Sequence, residues 1–540
     1  MRLMGGGRIQ GKVQVPPEGI REAVRRLVAE GYAHLTAITA VDLQDSIELI
    51  YHFDGGGGYR HVSVKLPRAN PTLPSIAQVV PGADYYEKEV RDLFGVNFQD
   101  GAEKRRFILP ECYPPDAPPP LLKDVDPASV KALVAEAPTC QVDAVGLHAP
   151  LSPESVVVPV GPYHPAFKEP EYFSLVVDGE RIVKAFVRIG FVHRGIEKAA
   201  ESRSFFRDIF LVERICGICS TSHAWCFVEA VERLLNMEVP RRAAYLRTLV
   251  AELERIHSHA LWLGLVGYWT GFETMFMWVW GLRETIMDLL EEISGNRVHK
   301  SFVTIGGVRR DVPDALLRRV SERVETFRRE FESLLESLSY SEEIISRTKG
   351  IGRYSLDDAR KYCAVGPVRR AAGDPFDVRR IEPYGAYPEV EFEVPTSNEG
   401  DVYNLIRVRV KEVVESASII QQLVEKMPSG NPVPPKPFMG TVPEGEAYSR
   451  IEAPRGELFY YVKANNTHNP YRVKVRTPTL ANIQLAAKIL EGQTLSDFPV
   501  VVTSIDPCFS CMDRVTIIDL SGKRREVSSK FFESLRGVRR

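Results

Sequence analysis

Two Cys-x-x-Cys pairs lie at distant points of this 540-residue chain, and they constrain how it can fold. Cys216 and Cys219 form the first pair and Cys508 and Cys511 the second, with the 288 residues from 220 to 507 between them. The two thiolates of such a pair can converge on one metal ion. If both pairs serve one site, the fold must bring the ends of this long segment together.

The residues beside the cysteines leave three kinds of site open. Thiolates favour zinc, iron, nickel or copper over magnesium or calcium. A structural zinc site is one alternative, although zinc ribbons place their two pairs about 15–20 residues apart. A redox-active dithiol is a second. Arg214, His223 and Asp506 lie close to the pairs and favour a third, a catalytic metal centre, because such a centre needs groups that orient ligands and handle protons.

The overall composition limits the class of protein. The other four cysteines, Cys112, Cys140, Cys226 and Cys363, belong to no motif, and eight in all are too few for a secreted disulfide scaffold. The first 15 residues contain no apolar signal region, so we expect a reducing compartment. With 69 basic and 71 acidic residues, the net charge of -2 gives no electrostatic basis for nucleic-acid binding.

The first part of the chain predicts a small α+β domain over residues 1–112. One helix is indicated by apolar residues with helical spacing, namely Ile20, Val24, Leu27 and Val28. The β-rich runs IELIYHFD and YRHVSVKLP flank four glycines and predict a hairpin. Six prolines between residues 114 and 127 disfavour regular structure and predict a linker over 113–150.

The remainder predicts a large, mainly helical domain over residues 151–514 with minor antiparallel β-structure, so the fold class is α+β. Short strands come first, and helical periodicity dominates after residue 197, in 241–264, 314–338 and 411–427. Residues 380–395 and 451–477 are richer in β-formers. Residues 261–282 are long enough to span a bilayer and hold four of the five tryptophans. Because Glu273 lies in the middle, we predict a buried core helix there instead.

At the cysteine pairs the sequence resembles a known family. Arg214-Ile-Cys216-Gly217-Ile-Cys219 with His223, and Asp506-Pro507-Cys508-Phe-Ser-Cys511, resemble the two metal-binding motifs of [NiFe]-hydrogenase large subunits. VGPYHPAFKEPEYF, FVHRGIEK, ELERIHSH and GGVRRDV are similar to energy-converting hydrogenases of group 4, which are related to the 49 kDa subunit of respiratory complex I. YYEKEVRDLFGVNF and RRFILPE resemble the complex I 30 kDa subunit. The fusion of both resembles the large subunit of formate hydrogenlyase.

The resemblance implies a binuclear nickel–iron centre. Cys216 and Cys508 match the terminal nickel ligands, and Cys219 and Cys511 match the thiolates that bridge nickel to an iron carrying CO and cyanide. Splitting H2 requires a Lewis acid and a nearby base, and by analogy Cys508 is the first base. The rest of the chain contains no cysteine motif for an iron–sulfur cluster, so none is expected in this chain.

The resemblance also assigns roles to residues that are not metal ligands. Glu197 matches a proton relay, although from the sequence alone it would be a solvated helix glutamate. Arg455, which follows Pro454 in a Glu-Ala-Pro-Arg-Gly motif, matches the arginine above the open metal site, and Asp506 matches its carboxylate neighbour. A buried ion pair between Arg455 and Asp506 is the alternative and is compatible with this role. His223 is predicted either to position the centre or to pack in the core.

The family's partners follow from the same resemblance. A small subunit with a [4Fe-4S] cluster, a ferredoxin-like subunit and integral membrane subunits are implied, and the chain is expected in the cytoplasm, peripheral on the inner face of the membrane. A maturation endopeptidase is expected to cut after Arg514 and remove the extension 515–540; a retained tail is the alternative. No nucleic acid partner is predicted.

A rival function comes from the complex I relatives. His164, in Gly-Pro-Tyr-His-Pro, matches a motif that borders their quinone cavity. The chain could then be a quinone-module or structural subunit without hydrogenase activity. That interpretation leaves both cysteine pairs unexplained.

Overall fold

The computed structural model describes residues 6–56, 58–101, 105–110, 113–114, 116–126, 128–130, 133, 150–165, 167–338, 341–508, 517–518 and 524–525. The α-helices in these ranges are α1 (Ile20–Ala29), α2 (Ala83–Phe94), α3 (Ile196–Glu201), α4 (Phe205–Glu213), α5 (Ser220–Leu235), α6 (Arg241–Thr270), α7 (Glu273–Ser294), α8 (Asp314–Leu338), α9 (Glu342–Thr348), α10 (Leu356–Lys361), α11 (Pro367–Ala371), α12 (Val378–Ile381), α13 (Val402–Glu425), α14 (Pro478–Leu490) and α15 (Phe498–Ser504).

The strands are β1 (Gly6–Arg8), β2 (Val13–Gln14), β3 (His34–Asp42), β4 (Ser46–Asp54), β5 (Tyr59–Pro67), β6 (Thr72–Pro74), β7 (Asn97–Gln99), β8 (Val156–Val160), β9 (Tyr172–Asp178), β10 (Arg181–Arg188), β11 (Val303–Thr304), β12 (Gly307–Val308), β13 (Gly445–Ala453), β14 (Gly456–Ala464), β15 (Arg472–Arg476), β16 (Ile517–Ile518) and β17 (Arg524–Arg525). The combination of helices with small sheets confirms the predicted α+β class.

The N-terminal region contains a four-stranded sheet in the order β2-β5-β4-β3. The predicted hairpin is confirmed, since β4 and β5 pair antiparallel with Asp54 opposite Tyr59. The predicted helix is α1, which buries Ile20 and Val24 completely. Residues 116–126 form only turns and irregular structure, as the proline-rich composition predicts.

A second four-stranded sheet, β1-β13-β14-β15, packs against the first. An apolar cluster joins the two sheets, with Ala37, Val41, Ile50, Tyr59, Tyr448, Phe459 and Tyr461 buried between them. The first strand of the chain therefore belongs to a sheet built mostly from residues 445–476, since Gly6 is paired with Ser449. The domain boundaries at residues 112, 150 and 514 stay predictions.

Long helices form the centre of the larger region. The three segments with helical periodicity lie in α6, α8 and α13, and α6 packs against both α7 and α13. The strands predicted in 451–477 are present as parts of β13, β14 and β15. The β-structure suggested for 380–395 is wrong: this segment contains the end of α12, turns and a 3-10 turn at Tyr387–Glu389. Pro383 and Pro388 lack the amide hydrogen that a strand ladder needs.

The tryptophan-rich segment 261–282 is not one buried helix, so that prediction is wrong. Helix α6 ends at Thr270, and Gly271 takes a left-handed conformation with φ +83°, after which α7 begins at Glu273. Tyr268, Met277 and Trp278 are 50%, 67% and 52% exposed. Among the helices that the structure describes, none combines the length and hydropathy that a bilayer crossing requires.

Candidate metal centre

The fold brings three of the four motif cysteines into one buried cluster. Cys216, Cys219 and Cys508 are 1%, 5% and 3% exposed and contact one another, with Ile218 packed beside them. The Sγ atoms of Cys216 and Cys508 lie 3.1 Å apart, and neither cysteine forms a disulfide. The fourth motif cysteine, Cys511, lies outside the described residues, as does Arg514.

The first pair sits at the amino end of α5. Cys219 is the residue before the helix, and the next turn is held by the buried carboxylate of Glu254. Glu254 accepts hydrogen bonds from the backbone amides of Thr221 at 2.8 Å and Ser222 at 3.0 Å, and it pairs with Lys300 at 2.9 Å. The partial positive charge at the amino end of a helix favours thiolates, but at Cys219 the hydrogen bond with Cys216 and burial outweigh it.

The backbone that leads into Cys216 is fixed by an arginine that the sequence did not single out. Arg194 donates from Nη1 to the carbonyl oxygen of Arg214 at 2.8 Å and from Nη2 to that of Ile215 at 2.9 Å. Arg214 itself turns outward. Its side chain is 51% exposed and lies beside Glu213 and the Phe210 carbonyl.

The second pair is held from two directions. The amide of Cys508 donates to Thr479 Oγ1 at 3.0 Å, at the start of α14. Asp506 has left-handed backbone geometry, with φ +56°. Arg455 donates from Nε to the Asp506 carbonyl oxygen at 2.8 Å and from Nη2 to its Oδ1 at 2.9 Å. Arg455 and the buried Pro454 form the turn between β13 and β14, so this turn is locked onto the second cysteine motif.

Two further cations reach Asp506. Arg409 Nη1, on α13, lies 3.1 Å from Oδ2, and Lys168 Nζ lies 2.7 Å from Oδ1. Burial alone would raise the pKa of Asp506, but Arg455, Lys168 and Arg409 together lower it to about 2. The predicted ion pair is thus part of a larger cluster. Lys168 belongs to the segment HPAFKEP, whose family resemblance was a usable signal, whereas no pattern in the sequence pointed to Arg409.

The donor set fits a soft metal. In a tetrahedral site with bonds of about 2.3 Å, sulfur ligands lie about 3.8 Å apart, so Cys216 and Cys508 at 3.1 Å would need to separate slightly. Among the described residues, no three Cys, His, Asp or Glu side chains stand at metal-ligand spacing. The hydrogen bond with Cys216 and burial raise the pKa of Cys219, so a metal that binds the Cys219 thiolate would displace a proton.

His223 lies in the core beside the cluster. Its Nδ1 is 2.7 Å from the hydroxyl of Tyr460 on β14, and its Nε2 has no hydrogen-bond partner among the described residues. Burial lowers the pKa of His223 to about 4, which keeps the ring neutral at physiological pH. His223 therefore packs in the core, and its role in positioning the centre stays a prediction.

Glu197 is part of a buried ion network. It lies at the start of α3 with its side chain 13% exposed, so the solvated-glutamate alternative is wrong. Glu197 accepts from the amide of Val475 at 2.9 Å and pairs with Arg472 at 2.7 Å and Lys474 at 3.5 Å. Burial would raise the pKa of Glu197, but Arg472 and Lys474 outweigh it and lower it. Lys474 also pairs with Glu89 of α2.

Comparison with known protein families divides the chain into three matched regions. Residues 13–131 match the family model of the 30 Kd subunit of respiratory-chain NADH dehydrogenase. Residues 194–264 match that of nickel-dependent hydrogenases. Residues 270–441 and 438–514 match that of the 49 Kd subunit of respiratory-chain NADH dehydrogenase.

Individual relatives extend over most of the chain. Formate hydrogenlyase subunit 5 of Escherichia coli is 35% identical over 468 residues, which are 86% of this chain and 81% of the relative. The carbon monoxide-induced hydrogenase of Rhodospirillum rubrum is 39% identical over 66% of this chain and 99% of its own. In the structure of an archaeal membrane-bound sulfane sulfur reductase, one chain is 34% identical with a TM-score of 0.64, covering 68% of this chain and all of that one.

Proposed function

Because the chain belongs to the family of large subunits shared by membrane-bound energy-converting hydrogenases and complex I, with a 30 kDa-type region fused to a 49 kDa-type region, we propose that it is the catalytic subunit of a [NiFe]-hydrogenase. The resemblance predicted from the cysteine motifs is confirmed at the level of the family. The chain is an oxidoreductase subunit, and the specific reaction proposed is the interconversion of H2 with protons and electrons.

The observation that carries this proposal is the cysteine cluster beside Asp506. Cys216 and Cys508 come from motifs 292 positions apart and place their Sγ atoms in contact, next to a carboxylate with three cations. A buried thiol cluster with this charged neighbour suits a reactive metal better than a closed structural zinc site. Cys511 is proposed as the fourth ligand.

The bound nickel–iron group, with CO and cyanide on iron, would supply the Lewis acid that makes H2 acidic enough to split. The chain's own residues would then manage charge and protons. Cys508 Sγ is the proposed first proton acceptor. Arg455 presents a fixed guanidinium beside the cluster, and its two hydrogen bonds to Asp506 keep it in place. Such a preorganised cation stabilises charge that develops during the reaction.

Glu197 is proposed to carry the proton onward. The strand that binds its carboxylate at Val475 leads directly to Thr477 and Thr479, and Thr479 binds the Cys508 amide. Thr477 has a buried hydroxyl without a hydrogen-bond partner among the described residues, so it could link Cys508 and Glu197 in a proton path. Arg472 and Lys474 favour the ionised form of Glu197, which therefore holds a proton only briefly and releases it readily.

Electrons must leave through another protein, because the chain itself has no further cysteine motif. We therefore propose a small subunit with a [4Fe-4S] cluster, a ferredoxin-like subunit and integral membrane subunits as partners. The chain would lie in the cytoplasm, on the inner face of the membrane. We also propose that the extension 515–540 is removed by an endopeptidase after Arg514.

Metal content and gas chemistry test the proposed function. The complex purified from its host should contain nickel in proportion to this chain and should evolve H2 from a reduced low-potential dye. A Cys508→Ala complex is the matched control and should lack both. Zinc as the only metal, or a nickel-free complex that reduces a quinone analogue, would favour the structural or quinone-module alternative.

A further inference from the structure

The ammonium group of Lys168 forms an ion pair beside the metal centre from a surface segment. We define the strap as residues 161–165 and 167–171, which join β8 to β9. Lys168 Nζ lies 2.7 Å from Asp506 Oδ1, and its side chain is 19% exposed while that of Asp506 is fully buried. Asp506 lies two residues before Cys508, so the strap touches the second cysteine motif directly.

Asp506 does not depend on Lys168 for its position. Arg455 binds its backbone oxygen and Oδ1, and Arg409 binds Oδ2. Both arginines are buried, one in the β13–β14 turn and the other on α13 with its guanidinium 4.3 Å from the ring of Trp262. The carboxylate is thus fixed from two sides of the core. The Lys168 ion pair is therefore not needed to hold Asp506, and its effect is to hold the strap in place.

Aromatic contacts hold the strap from one side. Phe167 packs 5.7 Å from Phe173 and 5.9 Å from Phe498, measured between ring centroids, and Lys168 Nζ lies 5.8 Å from the ring of Trp269. The other side faces solvent, with Tyr163 62% exposed. Apolar contacts alone allow sliding, whereas a short charged hydrogen bond fixes one register.

We propose that Lys168 is a positioning residue that latches the strap over the metal centre through Asp506. The strap then limits access of solvent and reagents to the second cysteine motif. The importance of the latch for catalysis rests on the proposed function. The latch itself is a property of the protein chain, so opening of the strap can be measured without hydrogenase activity.

The test uses the full-length chain purified without added nickel. Lys168→Met keeps the aliphatic stem and removes the charge, Lys168→Arg keeps the charge, and Lys184→Met removes a partly exposed lysine that pairs with Glu491 on the surface. Amide hydrogen exchange of strap peptides and the rate of N-ethylmaleimide labelling of Cys508, followed by mass spectrometry, report opening. Cys226, which is fully buried beneath β13, is an internal control for global unfolding.

In Lys168→Met we expect both rates to rise by roughly tenfold, with Cys226 labelling unchanged. Lys168→Arg should restore wild-type rates, and Lys184→Met should not differ from wild type. Wild-type rates in Lys168→Met, or equally raised rates in Lys168→Arg, would overturn the latch. If Cys226 and Cys508 are labelled equally fast in the Lys168→Met variant, Lys168→Gln and Lys168→Arg are compared instead. Equal amide hydrogen exchange of the strap in these two variants would also overturn the latch. Wild-type rates in Lys168→Met refute only the latch, whereas the absence of nickel and of H2 evolution from the complex purified from its host refutes only the proposed function.

Discussion

The Sγ atoms of Cys216 and Cys508 lie 3.1 Å apart, although 292 positions separate the two residues along the chain. Cys216 lies just before helix α5, whose first turn is fixed by Glu254. Cys508 is held through its amide by Thr479. The contact is therefore a product of the whole larger region. A metal bound there would join two segments that lie far apart along the chain and so would stabilise the fold as well as serve the reaction.

Replacing Cys508 by alanine should abolish nickel retention and H2 evolution, because a proposed nickel ligand and the proposed first proton acceptor are lost together. Cys226→Ala is the matched control: Cys226 is also fully buried, but its thiol contacts Ser449 and Leu458 on strands β13 and β14. It should keep both properties and lose only about 1–2 kcal/mol of stability. Nickel analysis and H2 evolution check this, and equal damage from both variants would contradict the assignment.

Glu197→Gln should leave nickel in place but slow exchange between D2 gas and solvent protons by about 100-fold or more. Removing the charge also leaves Arg472 and Lys474 with less compensation, at a cost of about 3 kcal/mol in unfolding free energy. Glu201→Gln, on the same helix and paired with Lys123, is the control. Mass spectrometry of HD formation gives the rate, and an unchanged rate would exclude the relay.

Arg455→Lys keeps the charge but cannot reproduce the two hydrogen bonds to Asp506. We expect kcat for H2 evolution to fall by about 100-fold while the nickel content stays the same. The exposed Arg353 offers a control, and Arg353→Lys should have wild-type kcat. Loss of nickel from Arg455→Lys would instead indicate that the arginine acts in assembly.

Stability should fall as the pH is lowered from 6.5 to about 4, in part because of His61. Its Nδ1 lies 2.9 Å from Nδ1 of His52, and burial lowers the pKa of His61 to about 4. The folded state therefore binds this proton less readily than the unfolded state. The neutral ring contributes fully above pH 6.5, and the contribution, at most about 3 kcal/mol, is lost as the pH falls through this window.

Urea unfolding at several pH values checks this dependence. His61→Asn should flatten the decline between pH 6.5 and 4, whereas Asn at the exposed His468 should leave it unchanged. A His61→Asn curve parallel to that of the wild type would show that other groups cause the acid sensitivity.

The processing of the C-terminal extension can be read from intact mass. Nickel-loaded enzyme is expected to end at Arg514, and chain made without nickel should keep residues 515–540. A full-length mass in a nickel-loaded, active sample would show that the tail is retained.

Local sequence patterns were sufficient to predict those helices and strands that are determined by the spacing of their own residues. The periodic segments in α6, α8 and α13 and the β4–β5 hairpin are present as predicted, since spacing determines which face an element can bury. The β-structure suggested for 380–395 is absent because the three prolines of this segment disfavour ladder pairing despite the β-forming side chains. The prediction of one helix over 261–282 was wrong because Gly271, in a left-handed conformation, ends a helix that the hydropathy of the segment would continue.

For the proposed metal centre, the sequence alone identified the candidate donors, four thiols in two pairs, and made Arg455, Asp506 and Glu197 recognisable from their motifs. Only the tertiary structure decided that Lys168, Arg409 and Arg455 meet on the single carboxylate of Asp506 and that Glu197 faces Arg472 and Lys474. These contacts join a strap, a helix, a turn and a strand that lie far apart along the chain. The energy of an electrostatic interaction depends on the distance between the charges in space. The spacing of residues within one segment of the sequence does not reveal that distance.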